Sequence, residues 1–184
     1  MLKLKYAALA AMVATGTFAT SSAFAAGLEI WNGSAWVRNG TAVISGPTTA
    51  TYLGNTVPCT SAFTLTLTSG AAQVTNATFT GSGACTGITK VLPWAVSAPT
   101  AGAGSSVNLT ISGINIRFPA PPQTCTGSVT GELDNADPYS PNPPTAPGPY
   151  NLYFTFSGTL AGGCSVANRA PGLTSNVPIR AYFP

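Results

Sequence analysis

In the run Phe63-Thr64-Leu65-Thr66-Leu67-Thr68 every second side chain is apolar and a threonine fills each gap. Successive side chains of an extended chain point to opposite faces, so a period of two marks a strand with one buried face. The same alternation recurs in Val107-Asn108-Leu109-Thr110-Ile111 and Ile114-Asn115-Ile116-Arg117-Phe118. It returns in Leu152-Tyr153-Phe154-Thr155-Phe156 and in Val177 to Tyr182. Gly and Pro, 20 and 16 in the chain, punctuate almost every interval between such runs. Beyond residue 25 no window carries the i, i+3, i+4, i+7 apolar spacing of an amphipathic helix. The expected class is therefore all-β, a single antiparallel β-sandwich or partly open barrel of roughly eight to eleven strands, with helix nearly absent.

The first residues have a different character. Lys3 and Lys5 are followed by an uncharged, Ala-rich run from Tyr6 to Phe18, and Ser22-Ala23-Phe24-Ala25 places small residues where a signal peptidase reads them. Residues 1–25 are expected to be a signal peptide cleaved after Ala25, leaving 26–184 as a single domain. The apolar run is shorter than the roughly 20 residues that cross a bilayer, so no transmembrane segment is expected in the mature chain. No Cys stands at the cleavage point to carry a lipid. The expected location is extracellular or at the outer cell surface, with the periplasm as the alternative.

An exported chain meets an oxidising compartment, and its four cysteines, Cys59, Cys85, Cys125 and Cys164, are expected to pair. Three connectivities are open in principle. An internal repeat chooses among them. Cys59-Thr60-Ser61 resembles Cys125-Thr126-Gly127, and Phe79 to Cys85 resembles Phe156 to Cys164. The two intervals are 26 and 39 positions long, and the longer one contains a 13-residue Pro-rich insert, Asp137 to Pro149, that accounts for the difference. The repeat points to Cys59 with Cys85 and Cys125 with Cys164, braces worth roughly 3–4 kcal/mol each in the chain-entropy picture. The insert, rich in residues that cannot donate a backbone hydrogen, is expected to be an exposed loop at about 137–149.

Charged residues make up only 6% of the chain. Beyond residue 25 there are five bases, Arg38, Lys90, Arg117, Arg169 and Arg180, against four acids, Glu29, Glu132, Asp134 and Asp137. Scattered single cations do not make a nucleic-acid footprint, so no nucleic acid is expected as a partner. A nearly neutral surface lacks the repulsion that keeps proteins apart, and favours self-association or adsorption to apolar material.

Catalytic chemistry has little to work with. The chain contains no His, the commonest general base and metal ligand, and no nucleophile elbow or phosphate-cradling loop. Glu29 and Glu132 could form a glycosidase pair only if the fold brought them face to face. Glu132, Asp134 and Asp137 are the sole acidic cluster and lack the spacing of a calcium loop. Asn-x-Ser/Thr triplets begin at Asn32, Asn39, Asn76 and Asn108, close to what this composition produces by chance. No catalytic residue, metal or cofactor is expected, and the chain is not expected to be an enzyme.

A resemblance gives these features a setting. Ala84-Cys85-Thr86-Gly87, Leu92-Pro93-Trp94, Ile111-Ser112-Gly113-Ile114-Asn115-Ile116, Cys125 to Gly131 and Gly158-Thr159-Leu160 follow one another as in the small exported activators of alkane oxidation, the Pra proteins. The likeness covers roughly Cys59 to Leu173; the Pro-rich insert and Ala181-Tyr182-Phe183-Pro184 depart from it. It implies a non-enzymatic secreted or surface protein that assists growth on insoluble hydrocarbon. Two other readings compete. One is a fimbrial or filament subunit or adhesin, whose strands pair between copies. The other is a glycan-binding module that uses Trp31, Trp36 or Trp94 as stacking faces.

Overall fold

The structure, a computed structural model, describes residues 26–104, 106–134 and 153–183. The expected signal peptide and the Pro-rich loop at 137–149 lie outside the described residues. In chain order the strands are β1 (Gly27–Trp31), β2 (Trp36–Val37), β3 (Gly40–Tyr52), β4 (Asn55–Thr68) and β5 (Ala71–Gly81). A single helical turn, α1 (Gly83–Thr86), comes next. It is followed by β6 (Thr89–Lys90), β7 (Trp94–Val96), β8 (Thr100–Ala101), β9 (Val107–Pro119) and β10 (Pro122–Leu133). The last four are β11 (Tyr153–Leu160), β12 (Cys164–Asn168), β13 (Leu173–Ser175) and β14 (Ile179–Tyr182).

Eight of these strands form a ring in the order β10-β11-β12-β3-β4-β5-β7-β9, and β9 pairs back onto β10 to close it. Closure removes the free edges that an open sheet would present. The all-β expectation is met in its barrel form, and the barrel is closed rather than partly open. The described strands number fourteen, against the eight to eleven expected, because β2, β6, β7, β8 and β13 are two or three residues long.

Every ladder is antiparallel, and alternation decides which side chains enter the barrel. On β4 the buried positions are Val57, Cys59, Ser61, Leu65 and Leu67, with Phe63 half-buried between them. On β9 the buried set changes parity, from Val107 and Leu109 to Ile114, Ile116 and Phe118. The change falls at Gly113, which has φ +74° and is skipped in the register, so that Ile114 pairs Gly127 and Ser112 pairs Ser128. A bulge adds one residue to one strand; here it turns two apolar runs of opposite phase toward one core.

The β3–β4 hairpin turns through Leu53-Gly54 with φ +49° and +76°, and the β4–β5 hairpin through Ser69-Gly70 with φ +52° and +87°. Two successive left-handed residues are the type I′ arrangement, whose twist matches that of paired strands. These turns lie at opposite ends of β4.

The end bearing Ser69-Gly70 is covered by a second, three-stranded sheet in the order β14-β1-β2. Leu28 donates its backbone N–H to Gly70, and Gly70 donates to Arg38. Leu28, Ile30, Ile179 and Ala181 are buried in the same core as the barrel residues. Burial of a Leu or Ile side chain contributes roughly 1.5–3 kcal/mol, which anchors this small sheet as a cap.

Candidate functional site

Inside the ring, side chains from all eight strands leave a cavity of about 60 Å³. Aromatic rings dominate its wall: Phe63, Phe79, Trp94, Phe118, Phe154 and Phe156. Its hydroxyls satisfy one another. Thr48 and Ser61, both buried, place their oxygens 2.6 Å apart, and the Thr48 hydroxyl also faces the Cys59 carbonyl at 3.5 Å. No charged side chain lines the cavity. An apolar cavity of this kind stays dry, but one that accepts a benzene ring measures about 150 Å³. The interior as it stands is thus a packed core with a small residual void.

The barrel end opposite the cap presents a cluster of turns. Tyr52, stacked on Phe118 with ring centroids 4.0 Å apart, donates its hydroxyl to the Ala120 carbonyl at 3.0 Å, which ties the Leu53-Gly54 turn to Ala120-Pro121. Gln123 Nε2 donates to the Gly162 carbonyl at 2.7 Å and adds the Ala161-Gly162-Gly163 turn. Gly87, just after α1, sits against Pro119. None of these turns carries a charge. At their tip Leu53 is 55% exposed, one of two large hydrophobic residues so exposed among the described residues, the other being Val91. A leucine with φ +49° is strained where Asn or Gly would not be, so Leu53 stands out both by backbone and by exposure.

Charge is concentrated at the other end. Glu29, only 7% exposed, accepts from Arg38 Nε at 3.1 Å on one carboxylate oxygen and forms a 2.7 Å ion pair with Arg180 on the other. The Arg38 guanidinium lies 3.8 Å from the centroid of the Tyr182 ring, and that of Arg180 lies 4.5 Å from the Trp36 ring. Hydrogen bonds to Glu29 and then to Tyr182 hold the Arg38 pKa above its ordinary value. Three of the eight charged residues that are described are thereby committed to one another.

The structure brings Cys59 to Cys85 and Cys125 to Cys164 in two disulfides, with Cα separations of 5.8 and 5.9 Å. Both sit near the turn-bearing end. Cys164 pairs across the sheet with Tyr52, and Cys59 with Gly81 at the end of β5. Other candidate residues are distributed differently. Trp94 is buried and donates its indole N–H to the Val91 carbonyl at 2.7 Å, a core residue rather than a stacking face. Trp31 and Trp36 meet edge to face on the capping sheet, with centroids 5.6 Å apart. Glu132 accepts from the Ser106 hydroxyl, while Glu29 is held by its two arginines. The two carboxylates therefore have separate partners and no shared one. Asp137 lies outside the described residues, and no group of three metal-ligating residues occurs among those described.

Sequence reasoning missed the Glu29–Arg38–Arg180 cluster and the Thr48–Ser61 pair. Glu29 and Arg180 are 151 positions apart, and no local pattern joins them. No helix among the described residues is long and apolar enough to cross a membrane.

The motifs quoted above occupy places where the fold is decided: Trp94 in the core, Gly113 at the bulge, Cys125 and Leu160 at the turn-bearing end. They are architectural positions. Neither the curated proteins nor the solved structures yielded a match. A family model described as alkane oxidation protein activator, PraA/PraB-like, matches residues 1–180. The resemblance read from the motifs is borne out, and the chain belongs to the PraA/PraB-like family of alkane oxidation protein activators.

Proposed function

We propose that this protein acts outside the cell as a non-enzymatic factor that adsorbs to insoluble hydrocarbon and assists its use. The observation that carries this reading is Leu53, 55% exposed at the tip of a cluster of turns that themselves bear no charge. An exposed leucine costs nothing extra when it meets oil, and transfer of its exposed half out of water contributes about 1 kcal/mol. Turns without formal charge add little desolvation cost to that contact. The interior is a poor alternative, because about 60 Å³ is too little for an alkane. Contact with hydrocarbon therefore belongs to the outer surface.

Several features support the setting. The family is named for activation of alkane oxidation rather than for the oxidation itself. Residues 1–25 read as an export signal, and two disulfides suit an oxidising compartment. The chain brings no His to general acid–base work.

The test is growth of the producing strain, with and without its gene, on hexadecane and on a soluble carbon source. Loss of the gene should slow growth on hexadecane only, and purified protein added to the medium should restore it. Equal growth of both strains on hexadecane would overturn the proposal.

A further inference from the structure

A second surface, on the capping sheet, has chemistry that oil contact does not use. Between β1, β2, the start of β3 and the segment before β14 lies an open cleft of about 650 Å³. Trp31, Asn32, Asn39, Thr41, Asn176 and Pro178 are among the residues that line it, and none of its lining residues is charged. The nearby charges of Glu29, Arg38 and Arg180 are turned to one another.

The three asparagines share one arrangement. Asn32 Oδ1 accepts from the backbone of Ser34 and Ala35 at 3.0 and 2.9 Å, Asn39 Oδ1 from Ser69 N at 2.9 Å, and Asn176 Oδ1 from Val43 N at 2.7 Å. A backbone N–H can only donate, so each amide is oriented oxygen-inward. Each Nδ2 then keeps two N–H donors, and none of the three has an acceptor within the protein among the described residues. The side chains are exposed and fixed, which lowers the entropy lost when a ligand binds. Trp31 is half-buried and packs against Trp36 with the two ring planes 64° apart, and the Trp36 ring in turn faces Arg180.

Fixed amide donors beside a rigid aromatic face, with no formal charge, match a ligand that offers hydroxyl and ring oxygens on its rim and C–H groups on its face. We propose that this cleft binds a neutral polysaccharide, with Trp31 as the stacking platform and Asn32, Asn39 and Asn176 as donors. Such a site would hold the protein to a cell envelope or matrix while the opposite end of the barrel meets oil. It does not rest on the hydrocarbon reading.

The experiment is affinity electrophoresis of the full exported chain in gels containing dextran, hydroxyethyl cellulose or the anionic polymer alginate. Variants are Trp31→Leu and the pair Asn39→Asp and Asn176→Asp. The aspartates keep the oxygen that accepts from Ser69 or Val43 and exchange each donor NH2 for a second, charged oxygen, so mobility is read relative to the same variant in a gel without polymer, and a thermal melt checks that each variant folds. Retardation by at least one neutral polymer and not by alginate is expected, weakened at least roughly fivefold by either variant. Hexadecane adsorption of the same variants should be unchanged, which separates this site from the turn-bearing end. Mobility unaffected by either neutral polymer, equal retardation by alginate, or variants that bind like the parent would overturn the proposal. So would a concentration-dependent dimer abolished by Trp31→Leu, which would make the cleft a contact between copies.

Discussion

Glu29 on the first strand and Arg180 on the last are direct cross-strand partners, and a 2.7 Å ion pair joins their side chains. Because Arg38 takes the other carboxylate oxygen, one acid holds β1, β14 and the segment leading into β3 together. Removal of the charge takes away the anion that the two guanidinium groups share. Glu29→Gln is expected to cost roughly 2 kcal/mol, less than a fully buried pair because both arginines retain some solvent. Urea unfolding measures it. Fluorescence of Trp31 and Trp36 should report loosening of the cap before the barrel unfolds.

The Thr48–Ser61 pair calls for a double-mutant cycle. Ser61→Ala leaves the Thr48 hydroxyl inside an apolar cavity with only a long contact to the Cys59 carbonyl, and is expected to cost roughly 1–2 kcal/mol. Thr48→Val with Ser61→Ala removes both polar groups at nearly constant shape and should cost less than the sum of the single changes. Additive losses in denaturant midpoints would show that the hydroxyls do not depend on each other.

The two disulfides close loops of different length, 26 and 39 positions. In the chain-entropy picture each contributes roughly 3–4 kcal/mol, with about 0.4 kcal/mol more for the longer loop. Cys59→Ala with Cys85→Ala, and Cys125→Ala with Cys164→Ala, should each lower the urea midpoint by a similar amount, slightly more for the second pair. A variant that unfolds at the parent's midpoint would contradict the stapling role.

Strand identity was legible where alternation is local. Phe63, Leu65 and Leu67 turn inward on β4 as their spacing implies, and the runs at Val107–Ile111 and Ile114–Phe118 proved to be one strand folded about a bulge at Gly113. The long strand β3 escaped notice because Gly46-Pro47 reads as a breaker. In the structure those residues sit where β3 changes neighbour, from Asn168 of β12 opposite Thr48 to Thr174 of β13 opposite Ser45. A glycine is needed there because a Cβ on Gly46 would stand 2.6 Å from the Gly172 carbonyl. Closure of the barrel, the Glu29 cluster and the asparagine cleft depend on contacts between distant segments, and no period in the sequence records them.

Leu53 offers the most direct test of the hydrocarbon account, because one substitution should move stability and adsorption in opposite directions. Asn-Gly is the preferred pair for a type I′ turn, so Leu53→Asn should stabilise the fold by about 0.5–1 kcal/mol while it removes the exposed apolar tip. The measurement is the tension of a hexadecane–water interface against protein concentration, for the full exported chain and for Leu53→Asn. The parent should lower the tension, and the variant should need roughly fivefold more protein for the same effect, the equivalent of about 1 kcal/mol. An interface indifferent to the parent protein, or lowered equally by both, would contradict the claim that this end of the barrel meets oil.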